Sequence, residues 1–210
     1  MVSIQDIEKA CDNRKIIIVG NSSRILKDSY AKIIDSYEIV VRINRGYQPT
    51  NLYSHFIGTK TNFLSLGVKS EAFARRIILG NHIPYILCPI MYSDKLHYPN
   101  AYHVEKEEYQ LLKKELGNNK PSTGIATFNF FNKLNNFQRL DIIGFDFFES
   151  SGAHRNQLGH LRVPDHNGRE ERGFFDRTRD AERTHIHPMA PGGAPINNIP
   201  KYSNIRFKRR

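Results

Sequence analysis

Short apolar runs alternate along the chain with segments whose apolar residues follow a helical period. The runs Lys15–Val19 and Glu38–Ile43 are rich in β-branched residues, which is typical of buried strands, and further short apolar runs cover Asn62–Leu66, Pro84–Ile90 and Leu140–Gly144. Helical spacing is found over Ile25 to Ile34, Lys69–Leu79, Glu105–Leu116 and Ile125–Leu134. This alternation predicts an α/β fold: a modified doubly wound, Rossmann-like and mostly parallel sheet with helices on both faces.

The rest of the chain is more polar. We expect a mobile loop over 149–167, a surface helix over Gly168–Thr184 anchored by Phe174 and Phe175, and a loop with a basic tail over 188–210. A length of 210 residues fits one domain of this class. We therefore predict that residues 1–210 form a single nucleotide-binding domain.

Composition narrows the class of protein without choosing a function. Hydrophobic residues make up 39% of the chain, and the formal net charge of +10 favours anionic partners such as nucleotide sugars, acidic glycans, lipids or nucleic acid. No apolar stretch is long enough to cross a bilayer, and Met1–Ala10 lacks the pattern of a secretion signal, so we expect a soluble, cytoplasmic protein. Cys11 and Cys88 form no Cys-x-x-Cys pair, which argues against a disulfide framework or a thiolate zinc site.

Polar residues follow two of the predicted strands where the strands end. Gly20, Asn21 and Ser22 come directly after the first strand, and Asn44 follows Val41-Arg42-Ile43. The carboxyl ends of parallel strands form the ligand-binding edge of open α/β folds, and glycine there lets the backbone approach a ligand. An asparagine amide donates and accepts hydrogen bonds, which suits a base or a ribose. The glycine spacing of dinucleotide-binding folds is absent.

A third polar segment, Lys120-Pro121-Ser122-Thr123-Gly124, precedes a predicted helix. It combines a rigid turn with hydroxyls and a glycine, and the free N–H groups at a helix start favour a phosphate or a carboxylate. Ordinary capping of the helix by Ser122 is the alternative.

Taken together, these segments resemble the sialyl motifs of the sialyltransferase superfamily. Ile17-Ile18-Val19-Gly20-Asn21-Ser22-Ser23 and Val41-Arg42-Ile43-Asn44 resemble the long motif. Pro121-Ser122-Thr123-Gly124 and Ile143-Gly144-Phe145-Asp146 resemble the short motif. His166, separated by four residues from Glu171, is similar to the very short motif.

The resemblance implies an inverting glycosyltransferase that moves sialic acid from its cytidine monophosphate (CMP) conjugate to a hydroxyl of a glycan or glycolipid. In that family the histidine of the very short motif is the general base, which assigns the role to His166, with Glu171 in support. The family's motifs also line the donor nucleotide. The implied donor site comprises Gly20, Asn21, Ser22, Asn44, Lys120, Ser122, Thr123, Gly124, Gly144, Phe145 and Asp146.

The chemistry of the reaction agrees with these roles. Histidine is the side chain whose ordinary pKa lies closest to neutral pH, as a base for a hydroxyl requires. The phosphate gains charge as the glycosidic bond breaks, and Lys120 with the amides of Ser122 to Gly124 would stabilise it. A donor with a single phosphate needs no bridging cation, and the chain has no Asp-x-Asp pair, so we predict no metal and no other cofactor.

Two departures from the secretory members of that family point to a bacterial-type enzyme: neither motif contains cysteine, and Lys120 replaces a tyrosine. His154 or His160 could stand for the family's other histidine motif. His185 and His187 are predicted to be exposed or to line the substrate site rather than to bind metal. The basic end, Arg206-Phe207-Lys208-Arg209-Arg210, is suited to peripheral binding at the anionic inner face of a membrane, although a solvated tail is the alternative.

Three other functions stay open at this point. A donor carrying 3-deoxy-manno-octulosonic acid (Kdo) would suit the same fold, because it also presents a carboxylate beside the anomeric carbon. A relative that binds a nucleotide without catalysis would show the same motifs. A nucleic-acid-binding protein is the alternative from another class, although the dispersed basic residues and the lack of a recognition motif argue against it.

Overall fold

The structure is a computed structural model that describes residues 2–44, 53–67, 74–75, 78, 82–90, 98–148 and 166–189. Within these residues seven parallel strands form one sheet: β1 (Lys15–Val19), β2 (Ile39–Ile43), β3 (Phe63–Ser65), β4 (Tyr85–Cys88), β5 (Ala101–His103), β6 (Arg139–Ile143) and β7 (Thr184–Ile186). The helices are α1 (Ile4–Cys11), α2 (Ala31–Asp35), α3 (Ser54–Ile57), α4 (Lys106–Glu115), α5 (Thr123–Leu134) and α6 (Gly168–Thr178), with a 3-10 helix at Ser23–Leu26.

The order of the strands reverses beside β1. The sheet runs β5-β4-β3-β2-β1-β6-β7, so the chain builds outward from β1 to β5 and then returns to the other side of β1 as β6. In open parallel sheets such a reversal leaves a crevice at the carboxyl ends of the two strands that flank it, and ligands bind there. The topology therefore points to the ends of β1 and β6.

Alternate residues of β1 pack on opposite faces of the sheet. Ile16 and Ile18 belong to a core cluster that includes Phe128 and Phe131 of α5. Ile17 lies in a second cluster, which the 3-10 helix, α2 and α3 cover. Because both faces are covered, every residue of β2 is buried. The predicted α/β fold with helices on both faces is confirmed.

Arg42 is a fully buried charge in the middle of β2. Its guanidinium donates to the carbonyls of Ile57 (2.8 Å) and Lys60 (2.9 Å) and to the hydroxyl of Thr61 (3.0 Å). These acceptors compensate for the loss of water around the charge. The arginine of the Val41-Arg42-Ile43-Asn44 segment therefore fixes the connection between α3 and β3.

A second buried charge, Asp141 of β6, organises a network that we call the Asp141 network: Tyr37, Arg139, Asp141 and His187. The carboxylate accepts hydrogen bonds from Tyr37, from Arg139 (2.8 Å) and from Nε2 of His187 (2.7 Å). Burial raises the pKa of Asp141, but the bonds from His187, Arg139 and Tyr37 outweigh it and lower the pKa to about 2. The network joins β6 to the residues that precede β2 and follow β7.

Two predictions for the C-terminal part of the described chain are wrong. The helix expected over Gly168–Thr184 ends at Thr178, because Asp180 then accepts hydrogen bonds from the amides of Glu182 and Arg183 and turns the chain. The strand β7 follows, and its short, half-buried sequence carries no run of apolar residues. His187, expected to be exposed or to line the substrate site, instead bonds to Asp141.

Two further elements differ from expectation. The segment from Ile25 to Ile34 forms the 3-10 helix and α2 rather than one helix, because the amide of Tyr30 bonds to the carbonyl of Phe56 between them. The strand β5 was not predicted, since its three residues show no alternation.

Some predictions fall mainly outside the described residues: most of the helix over Lys69–Leu79, the loop over 149–165 with His154 and His160, and the tail over 190–210. Both cysteines, Cys11 and Cys88, are buried and unpaired. Among the helices in the described part of the chain, none combines the length and the apolar character that a bilayer span requires.

Candidate active site

A cavity of about 190 Å³ opens at the carboxyl ends of β1 and β6, where the strand order reverses. The loops after β1, β2 and β6 contribute to it, together with the starts of α5 and α6. Its lining comprises Gly20, Asn21, Ser22, Ile43, Asn44, Ser122, Thr123, Gly124, Gly144, Phe145, Asp146, Phe147, Phe148, His166 and Glu171.

The floor of the cavity depends on two glycines that follow β1 and β6. A Cβ atom at Gly20 would lie 2.4 Å from the carbonyl oxygen of Gly144, and Gly144 itself has a φ of +76°. Only glycine meets both conditions without strain. The loop ends are then tied by a bond from the Ser22 hydroxyl to the Asp146 carboxylate (2.8 Å).

The two motif asparagines are held by hydrogen bonds to neighbouring loops. Nδ2 of Asn21 donates to the carbonyl of Ile43 at 3.1 Å. Asn44 donates to the Thr123 hydroxyl (3.2 Å) and accepts from the amide of Gly67 (2.8 Å). Each Nδ2 group carries a second N–H that these bonds do not use. The side chains are therefore oriented in advance at the cavity wall.

The start of α5 presents backbone amides to the cavity. Ser122 is the N-cap, and its hydroxyl accepts from the amide of Ile125 at 3.2 Å. The first bond along the helix runs from Ala126 to the carbonyl of Ser122, so the amides of Thr123 and Gly124 have no partner within the helix. With the helix dipole they form a site for an anionic group.

Glu171 of α6 holds the start of α5 in place through hydrogen bonds to Ser122. Its carboxylate accepts from both the amide and the hydroxyl of Ser122, each at 2.7 Å. The side chain is almost fully buried, and burial raises the pKa of Glu171 to about 7 against the opposing effect of the Ser122 bonds. Because the amide of Ser122 is bonded to Glu171, the amides of this helix start without a bond inside the helix are those of Thr123 and Gly124.

His166 lies just before α6 with its imidazole at the cavity. Nδ1 is 2.8 Å from the carbonyl oxygen of Lys120, and because a carbonyl only accepts, Nδ1 carries the hydrogen. In the neutral ring the lone pair is then on Nε2, which is the form that a general base needs. The ring also stacks on Phe148, with centroids 5.6 Å apart and planes inclined by 12°.

The structure brings together every residue predicted for the site except Lys120. The backbone of Lys120 instead holds His166, and its side chain is not part of the lining. The cavity also includes Ile43, Phe147 and Phe148, which the sequence did not single out. The only hint in the sequence was the pair Phe147 and Phe148 directly after Gly144-Phe145-Asp146. Apolar residues after a buried strand are more typical of the hydrophobic core than of a binding site.

The site contains few metal-binding groups. No three side chains of His, Cys, Asp or Glu come together in a way that could hold a metal ion, as far as the described residues extend. The polar groups of the cavity are amides, hydroxyls, two carboxylates and one imidazole.

A parallel sheet with a polar cavity at its switch point, beside a helix start and an oriented imidazole, is an arrangement typical of α/β enzymes. The chain belongs to glycosyltransferase family 29 (sialyltransferase), whose sequence model matches residues 5–141. The chain is therefore a glycosyltransferase.

The fold agrees with this family. A mammalian sialyltransferase crystallised with Gal-beta-1-3GalNAc-ortho-nitrophenol superposes with a TM-score of 0.61 at 17% identity, over 90% of this chain and 75% of that one. A second crystal structure of a mammalian sialyltransferase gives a TM-score of 0.63 at 16% identity, over 90% and 74% of the two chains. None of the curated protein sequences compared with the chain matches it significantly.

Proposed function

We propose that this glycosyltransferase moves sialic acid from CMP-sialic acid to a hydroxyl of a glycan or glycolipid, with inversion at the anomeric carbon and without a metal ion. The observation that carries the proposal is the convergence of three elements on one cavity. The turn after β1, the start of α5 and the imidazole of His166 all line it.

The donor would lie across the switch point. Asn21 and Asn44 have oriented amides with an N–H to spare, which suits the acceptors of a cytosine or a ribose. The single phosphate of the donor matches the amides of Thr123 and Gly124 at the positive end of α5. These amides would stabilise the charge that develops on the phosphate as the bond to the sugar breaks, which is why no cation is needed in this mechanism.

His166 would act as the general base. Its Nε2 accepts the proton of the acceptor hydroxyl while that oxygen bonds to the anomeric carbon. The bond from the anomeric carbon to the phosphate oxygen breaks, and CMP leaves with the bonding electrons. Attack from the side opposite CMP inverts the configuration. The carbonyl of Lys120 holds the Nδ1 proton throughout and stabilises the imidazolium that forms.

Glu171 would position these two groups relative to each other. It bonds to Ser122, the cap of α5, and His166 bonds to the neighbouring Lys120 carbonyl. The donor-binding turn and the base are therefore connected by short bonds, which favours a fixed geometry between donor and base.

The experiment compares His166→Ala with a control on another histidine, His185→Ala, whose residue lies on β7 and is not part of the cavity lining. We expect His166→Ala to lower the rate of transfer by about a thousandfold, the usual range for loss of a general base, with an unchanged Kd for CMP. CMP release from CMP-sialic acid and from CMP-Kdo measures the rate, and calorimetry measures the Kd.

The outcomes separate the alternatives. A Galβ1-3GalNAc glycoside is the first acceptor to try, since one of the similar sialyltransferases was crystallised with such a compound. Transfer from CMP-Kdo but not from CMP-sialic acid would show that Kdo is the sugar transferred. An unchanged rate of transfer by His166→Ala would show that His166 is not the general base. CMP binding without transfer from either donor would favour a silent relative. Absence of CMP binding with retention on nucleic acid would overturn the proposal.

A further inference from the structure

Two adjacent phenylalanines in the loop after β6 have left-handed backbone conformations. The φ angle is +49° at Phe147 and +70° at Phe148. Bulky side chains avoid this region because Cβ meets the backbone, so two such residues in succession are strained. Strain of this kind persists only where the surrounding structure enforces it, and it is concentrated at functional sites.

Phe147 is the anchor of this loop. Its ring packs against Phe145 (6.4 Å between centroids) and Phe175 (6.1 Å), and the guanidinium of Arg172 lies 5.2 Å from the ring centre. Its carbonyl meets the start of α6 so closely that a Cβ atom at Gly168 would lie 1.9 Å away. The loop is therefore fixed on both sides of the Phe147 peptide.

With Phe147 fixed inward, Phe148 is turned outward. Its side chain lines the cavity, yet the residue is 41% exposed, which is unusual for a large apolar side chain in a position held under strain. One part of the ring stacks on the imidazole of His166. The rest of the ring is open to solvent beside the base.

We propose that Phe148 is an acceptor-binding residue: its ring receives the apolar C–H face of the acceptor sugar and at the same time fixes the plane of the His166 imidazole. The inference rests on the proposed function, since the group that contacts the base is then the acceptor hydroxyl. Because the ring of Phe148 stacks on His166, it lies beside the acceptor and not beside the nucleotide. Pyranose rings carry an apolar face of C–H bonds, and an exposed aromatic ring is the complementary surface.

The first test compares Phe148→Ala with Phe148→Tyr and with Leu111→Ala, which removes an exposed apolar side chain from α4, outside the cavity lining. For the acceptor that supports the fastest CMP release, we expect Phe148→Ala to raise KM about tenfold, as loss of one stacking contact should. The KM for donor and the Kd for CMP should stay within about twofold of wild type, while Phe148→Tyr and Leu111→Ala keep all three values.

The second test uses Phe148→Gly. Glycine adopts a φ of +70° without strain, so we expect a higher Tm together with the same rise in acceptor KM. A residue kept only for stability would show a lower Tm and an unchanged acceptor KM, and that result would overturn the inference.

The remaining outcomes are distinguishable. If wild type transfers sugar and Phe148→Ala has the same acceptor KM, the inference fails and the proposed function stands. If Phe148→Ala weakens CMP binding as much as acceptor binding, the residue belongs to the nucleotide site and the inference fails. If wild type transfers to no acceptor, the proposed function fails and the inference with it.

Discussion

Two carboxylates are buried in the part of the chain that the structure describes, and their surroundings give them opposite properties. Asp141 lies within the sheet, on β6, at the centre of the Asp141 network, and Glu171 lies on α6 beside the start of α5 at the cavity. Asp141 receives bonds from the guanidinium of Arg139, from His187 and from Tyr37, so its pKa falls to about 2. Glu171 receives bonds from the amide and hydroxyl of Ser122, but burial dominates and its pKa rises to about 7.

The difference shows that burial by itself favours the neutral acid, and that the combined hydrogen bonds from His187, Arg139 and Tyr37 outweigh burial at Asp141. The Asp141 network keeps its charge and joins three parts of the fold. Among the described residues no cation donates a hydrogen bond to Glu171, and a charge there would oppose an anion bound at Thr123 and Gly124. A neutral or easily neutralised Glu171 therefore suits a site that receives a phosphate.

Asp141→Ala should produce the largest effect on stability. Removing the carboxylate leaves the buried hydroxyl of Tyr37 and the partly buried Nε2 of His187 without their shared acceptor, and at about 1–3 kcal/mol for each unsatisfied group we expect a loss of about 3–4 kcal/mol in the free energy of unfolding. Denaturant unfolding at pH 7 measures it, and the CMP affinity of the folded variant should stay within about twofold of wild type.

The matched control for that loss is Glu38→Ala, which breaks the exposed ion pair with Arg14 (2.7 Å). Exposed pairs contribute little, so this variant should lose far less stability than Asp141→Ala. An equal decrease in the free energy of unfolding in the two variants would show that the Asp141 network stabilises the fold no more than an exposed ion pair does.

Glu171→Gln should change the pH dependence of stability. The folded protein binds a proton at Glu171 up to about pH 7, whereas the unfolded chain releases it near 4.5, so wild-type stability falls as pH rises between these values. The full change is about 3 kcal/mol, and glutamine, which is always neutral, should abolish it. Unfolding of both proteins from pH 4 to pH 8 tests this, and parallel profiles would contradict the raised pKa.

At the acid end Asp141 should show the reverse and smaller effect. Its pKa is lowered from 3.8 to about 2 in the folded protein, so its stabilisation is complete above the unfolded value and is lost as pH falls through the folded one. The loss should amount to about 2 kcal/mol. The stability of Asp141→Asn should therefore fall less steeply at acid pH than that of wild type. An equally steep fall in the variant would show that other carboxyl groups cause the loss.

Much of the candidate site could be predicted from the sequence because its residues directly follow a strand or directly precede a helix. The turn Gly20-Asn21-Ser22 directly follows a buried strand, and Ser122 directly precedes a helix, so each is recognisable without knowledge of the fold. Glu171 was predicted only through its spacing from His166. That it bonds to Ser122 follows from the packing of α6 beside α5.

The elements that escaped prediction are short or depend on distant partners. The strands β5 and β7 have three residues each and form because a neighbouring strand offers backbone groups. His187 was judged by its own surroundings in the sequence, whereas its partners Tyr37 and Asp141 lie far away along the chain.

The sequence alone determined the alternation of strands and helices, and it placed the glycines, asparagines and caps at the strand ends, because turn chemistry and hydrophobic period are properties of neighbouring residues. The tertiary structure decided which carboxylate is charged, which histidine faces the cavity and that Phe148 lies open beside His166. These depend on burial and on contacts between residues distant in sequence, which fix the local dielectric and the available donors.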